Sequence, residues 1–161
     1  MSVPCTAALG RMVELGDLPR QRDGLGVDHL LLVLLKDIGA ATDATLRNCL
    51  TFGAMVTLGA VEADFTNYGG GKVLGPADKT TSLFTASSPY KGILTIPATQ
   101  VWNPAGGATN NTAIVRAVLL YRPTTGTPKS SCVPLGLDTT AGGATGGTFS
   151  HAFGTLTDQA T

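Results

Sequence analysis

Several groups of residues in this chain have the types that chemistry needs, and each fails on spacing. Gly69-Gly-Gly-Lys72 has the glycines and lysine that cradle a phosphate. A phosphate loop needs a hydroxyl residue directly after the lysine, where this chain has Val73, and its leading glycine is missing. The stretch reads as a flexible connector. Ser88-Pro-Tyr-Lys91 matches a Ser-x-x-Lys nucleophile, but Pro89 places it in a turn and the partner motifs Ser-Asp-Asn and Lys-Thr-Gly do not occur. His29 and His151 lie far apart with no cysteine or carboxylate at ligand spacing, so each reads as a surface or strand-edge histidine. Glu62 and Asp64 share one face of a strand, the pattern of a solvated edge. Glycoside hydrolysis would need two carboxyls about 5–9.5 Å apart. The carboxylates nearest predicted strands, Glu14, Glu62, Asp64 and Asp138, form no such constellation. Asn110-Asn-Thr112 fits a glycosylation acceptor, but no secretion signal gives it weight. Cys5, Cys49 and Cys132 are odd in number with no close pair, and read as buried free thiols rather than a disulfide framework. No nucleophile, base and orienting group can be assembled from this set. The expectation is a protein that is not an enzyme, with no catalytic, cofactor-binding or metal-ligating residue.

The elements that would position these residues are mostly strands. Gly (21) and Pro (9) punctuate the second half densely, which suits short strands and turns over long helices. Leu30–Leu35 is apolar on both faces and, at six residues, suits a strand buried on both sides, although periodicity alone does not distinguish it from a helix. Thr42-Asp43 reads as a helix N-cap. Leu46, Cys49, Leu50, Met55 and Leu58 follow at helical spacing, Gly53 is a weak point, and Gly59 is the stop, so the region holds one or two short helices. From Ser82 the pattern is β: 82–86, 92–96, Ala113–Tyr121, Cys132–Leu137 and Thr148–Leu156, with Ala141–Gly147 as a Gly-rich loop and Phe149 and Phe153 on one face. Val101-Trp102 and Ala113–Tyr121 are expected to pair as a central hairpin around Gly106-Gly107. Trp102 then either buries its ring or anchors a partner, and its apolar neighbours Val101 and Pro104 favour burial.

With 161 residues the chain suits one domain with a real core. Charged residues make up 14%, against roughly 25% in typical soluble domains. Lys+Arg equals Asp+Glu, 11 against 11, which argues against nucleic acid or a membrane surface as partner. So weakly charged a surface leaves little repulsion between copies and points to life inside an oligomer or larger assembly; the alternative is a small monomer solvated by Thr, Ser and Gly. The longest apolar run is far short of the roughly 20 residues that span a bilayer. Residues 1–26 hold many breakers and little periodicity, so they read as an extended arm reaching over a neighbour, ahead of a single domain at 27–161.

Five stretches, taken in order, resemble a group of small virion structural proteins of tailed bacteriophages. They are LVLLKDIGAATDATLRN (Leu32–Asn48), EADFTNY (Glu62–Tyr68), QVWNPAGGATNNT (Gln100–Thr112), AVLLYRPTTGTPKSSCVPLGL (Ala117–Leu137) and GTFSHAF (Gly147–Phe153). EADFTNY followed by GGATNNT is the most specific part. The chain differs from the group at Gly69-Gly-Gly71, where a basic residue is more usual, and at Leu137. The resemblance implies a non-enzymatic virion component. The expected fold is a mostly-β, jelly-roll-like β-sandwich with a short helical insert near residues 43–58. The expected function is decoration or cementing of the outer capsid surface by a homotrimer; the alternative is a tail or head-fibre component. The expected partners are copies of itself and the major capsid protein, with no nucleic acid and no membrane. The protein would be made in the host cytoplasm and located on the capsid exterior. Trp102, Tyr68, Arg20 and Arg22 are the expected interface residues.

Overall fold

The computed structural model describes residues 2–5, 29–74, 80–83, 91–96, 99–106, 112–122 and 126–159. In chain order the strands are β1 (Ser2–Pro4), β2 (His29–Asp37), β3 (Val61–Glu62), β4 (Lys72–Leu74), β5 (Thr80–Leu83), β6 (Lys91–Ile96), β7 (Gln100–Trp102), β8 (Thr112–Arg122), β9 (Val133–Ala144), β10 (Phe149–His151) and β11 (Gly154–Gln159). Helices α1 (Asp43–Arg47) and α2 (Phe52–Thr57) lie between β2 and β3, and a 3-10 turn (Lys129–Ser131) precedes β9. The fold is mostly β, as the sequence predicts, with two short helices in the expected place.

The main sheet is antiparallel with the order β1-β9-β8-β2-β3, and β4 also pairs with β2. β2 is the reason the fold has three layers. Leu30, Leu32 and Leu34 point into a core with Trp102, Phe149, Phe153 and Leu156. Leu31, Val33 and Leu35 point the other way, into a core with Leu46, Phe52 and Met55 from the helices and with Cys5, Cys49 and Cys132. A strand covered on both faces has no polar face to alternate with, which is why Leu30–Leu35 reads as one apolar run. Each such side chain contributes roughly 1.5–3 kcal/mol through burial. The helical layer covers one face of the main sheet. The other face packs against two small sheets, β7–β10 and β5-β6-β11.

Two helices form instead of one because the segment carries two caps. The Thr42 hydroxyl accepts from the Thr45 N–H at 3.2 Å, and Thr45 Oγ1 accepts from the Thr42 N–H at 2.9 Å, a reciprocal cap on α1. The Thr51 hydroxyl accepts from the Ala54 N–H at 3.2 Å and starts α2 afresh. Phe52 N–H donates to the Cys132 carbonyl at 2.9 Å, which ties α2 to the start of β9. Gly59 follows the C-cap with φ +106°, a conformation that suits glycine.

Several expectations are corrected. Trp102 does not form a hairpin with β8. β8 has β2 on one edge and β9 on the other, so no edge is left for a third strand. β7 pairs instead with β10, Trp102 opposite Phe149. The backbone bonds Ala105 N–H to Gly147 O (2.7 Å) and Gly146 N–H to Ala105 O (2.8 Å) continue that association. The Gly-rich stretch from Ala141 is not a loop until residue 145, because β9 runs on to Ala144. Gly142 is a packing residue there: a Cβ would lie 2.7 Å from Phe149 Cε2. The expected last strand is two, β10 and β11, broken at residues 152–153. Of the segment expected as an arm, residues 2–5 are described. Ser2–Pro4 pairs with Gly136–Asp138 of the same chain, and Cys5 is fully buried with its N–H on the Leu135 carbonyl. Residues 6–26, with Glu14, Arg20 and Arg22, lie outside the described residues, as do Ser88, Gly107, Asn110 and Asn111.

Candidate functional site

β3 and β4 are two pieces of one edge beside β2. Glu62 stands opposite Leu35, and Lys72–Leu74 opposite Leu32–Leu30. Between them the chain leaves the sheet as Ala63–Gly71, the stretch that contains EADFTNY. Ala63, Phe65 and Tyr68 turn into the core. The backbone of Leu34 faces the resulting gap and is satisfied from the excursion. Its carbonyl accepts from the Ala63 N–H at 2.9 Å, and its N–H donates to the Tyr68 hydroxyl at 2.9 Å. Burial, and secondarily the Glu62 charge, pushes the Tyr68 phenol well above its ordinary value, so it stays neutral. A phenol here does the work of a missing ladder partner. Tyr68→Phe should leave the Leu34 N–H buried without that partner and cost about 1–3 kcal/mol. A urea melt would read the loss, and the Leu34 amide should lose exchange protection beyond its neighbours.

The same excursion clasps the segment after β7. Trp102 Nε1–H donates to the Tyr68 carbonyl at 3.3 Å, Gly106 N–H to the Thr66 carbonyl at 3.0 Å, and Asn67 Nδ2 to the Pro104 carbonyl at 3.2 Å. Phe65, Tyr68 and Phe149 all ring Trp102, with centroids 5.8–6.5 Å from its own. Two of the four expected interface residues, Trp102 and Tyr68, are 2% and 4% exposed and belong to the core.

Gly69-Gly-Gly71 is a built turn and not a slack connector. All three glycines have positive φ, and Lys129 Nζ bridges the Gly70 carbonyl (2.7 Å) and Glu62 Oε1 (2.5 Å). Lys72, the lysine of the apparent phosphate motif, instead lies 5.5 Å above the Trp102 ring. Asp64 pairs with Lys36 at 2.6 Å, and that hydrogen bond, helped by Thr112, holds its carboxyl below the usual value. Asp43 pairs with Arg116 at 2.7 Å. Glu62 and Asp64 are thus each committed to a different lysine.

The three thiols lie in the core under the helices. Burial pushes Cys5 up to about 12 and raises Cys49 and Cys132 as well, which leaves little reactive thiolate at neutral pH. Among the described residues no group of three or more His, Cys, Asp or Glu is placed to hold a metal. His151 is not at the surface: it is 8% exposed, with Nε2 3.5 Å from Asp138 Oδ2.

What the described surface does offer is apolar. Of the six large apolar side chains exposed there, four fall within one short stretch: Leu50 (70% exposed), Val56, Leu58 and Val61. Phe52 and Met55 point inward from α2, while Val56 on the same helix points out. Leu50 lies in the link between the helices and Leu58 at the C-cap of α2. No search by sequence periodicity could have separated these from the core set, because Leu50 and Leu58 fit the helical spacing as well as Met55 does.

No protein-family model, curated protein or solved structure matches this chain.

Proposed function

We propose that this chain is a non-enzymatic structural protein of a phage virion, bound to the outside of the capsid as a decoration or cementing subunit. The exposure of four large apolar side chains, Leu50, Val56, Leu58 and Val61, within one short stretch of the chain in and after the helical region carries this reading. Large apolar side chains left in water in such number along one short stretch favour protein contact over a freely solvated life. The resemblance of the excursion and tryptophan segments to small virion proteins supports the same assignment. In this reading the protein contacts the major capsid protein, acts as a trimer on a local symmetry axis, and stabilises the shell by binding it only when assembled.

Leu50→Lys together with Leu58→Lys should fold as the parent does, since the two side chains are 70% and 47% exposed and a lysine can carry its charge out to water. The double variant should bind capsids at least tenfold more weakly, the effect of placing two charges in a contact that excludes water. Co-sedimentation with capsids lacking the protein measures this. Capsids with and without the parent protein should also differ in heat and osmotic resistance. Equal resistance, or density for this chain on the tail alone, would count against the capsid role.

A further inference from the structure

We propose that His151 and Asp138 form a protonation-sensitive latch that holds the two-stranded β7–β10 sheet against the main sheet and loosens it in acid. The inference is independent of the capsid reading. β7 and β10 are three residues each and, among the described residues, pair only with one another. An isolated two-stranded ribbon is marginal in water, so this one depends on what docks it. Trp102 and Phe149 dock it through the apolar core. Besides the bonds from the β7 segment to the Ala63–Gly71 excursion, a polar pair meets across the layers: His151 of β10 and Asp138 of β9, Nε2 to Oδ2 3.5 Å, with side chains 8% and 7% exposed. His151 stands opposite Gln100 in register and edge-on to Phe153 at 6.2 Å between centroids.

Burial is the largest influence on His151 and pushes its imidazole below the ordinary value. The Asp138 carboxylate works against that, and the positive amino terminus preceding β1 works with it. Its register partner Gln100 and the neighbouring Phe153 ring are uncharged. A docked histidine harder to protonate than a free one favours docking at neutral pH. As pH falls below about 6.5, the ordinary histidine value, the undocked state takes up the proton first and gains population. The loss continues until the docked histidine titrates too.

Trp102 is the chain's single tryptophan and sits on β7, so its emission reports on this sheet. In the full chain, taken from pH 7.5 to pH 5, the emission should shift to the red. Amide exchange in β7 and β10, corrected for the intrinsic rate, should rise by up to about tenfold per pH unit, the limit for one proton. Amides of β2 and β8 should stay protected. His151→Gln, which cannot take the proton, should give a flat profile. If that variant does not fold, the wild-type exchange pattern still decides. Exchange in β7 and β10 that does not respond to pH, or that slows in acid, overturns the latch. So does loss of protection in β2 and β8 at the same pH, or an unchanged acid response in a folded His151→Gln.

Discussion

Trp102→Ala should destabilise the protein by about 3–5 kcal/mol, the usual cost of removing a buried tryptophan. The magnitude follows from the number of elements that meet on one ring. The indole fills the space between the main sheet and the small sheets, in the cluster that also holds Leu32, Leu119 and Ile114. Its N–H donates to the Tyr68 carbonyl, which fixes the far end of the Ala63–Gly71 excursion. Phe65, Tyr68 and Phe149 would each lose a facing ring, and Lys72 the surface it lies over. Since a domain of this size is held together by only about 5–15 kcal/mol, the variant should be partly unfolded or aggregate on expression. Trp102→Phe keeps an aromatic ring but not the N–H, and should recover more than half of the loss. Urea melts of the three proteins test this. A loss under about 1 kcal/mol for the alanine variant would mean that the ring is not enclosed in solution.

Strong local patterns were legible before any coordinates, and pairings between short elements were not. Leu30–Leu35 could be read as a doubly buried strand because six apolar residues with no alternation have few other uses. Thr42 announced α1, and Ala113–Tyr121 announced β8, because caps and long β-branched runs act locally. β7 was misassigned because three residues carry no pattern that selects β10 over β8, and the choice is made by which edges β2 and β9 leave open. Gly142 misled for a related reason. Glycine marks a turn or a close approach equally well in sequence, and here the Phe149 ring takes the space of its missing Cβ. His151 looked like a strand-edge residue because its partner Asp138 is thirteen positions away on a different sheet. The exposed apolar group around α2 was invisible for the opposite reason: its residues fit a core pattern that the two-cap geometry turns partly outward.

The glycines allow the two costs of a positive-φ turn to be separated by experiment. Gly126 has open space where a Cβ would go, and its φ is not in the left-handed range, so Gly126→Ala should be neutral or stabilise by up to about 1 kcal/mol through the unfolded chain. Gly69 also has open space but sits at φ +68°, so Gly69→Ala should cost about 1–2 kcal/mol from backbone conformation alone. Gly71 combines both problems. Its φ is +107°, beyond the small left-handed region open to other residues, and a Cβ there would lie 2.8 Å from the Leu32 carbonyl oxygen. That oxygen belongs to the backbone of β2, which is fixed on its other side by β8. The clash is therefore relieved only by moving β4 away from β2 or by twisting the turn that Lys129 holds through the Gly70 carbonyl. Gly71→Ala should cost more than Gly69→Ala by at least about 1–2 kcal/mol, with the strain of a disallowed backbone added to the lost β2–β4 pairing. The midpoints of urea melts should fall in the order Gly126→Ala, Gly69→Ala, Gly71→Ala. Amides of Lys72 to Leu74 should exchange faster only in the last. A Gly71→Ala protein as stable as Gly69→Ala would show that the turn has room to shift and that β4 is not tied to β2 through this glycine.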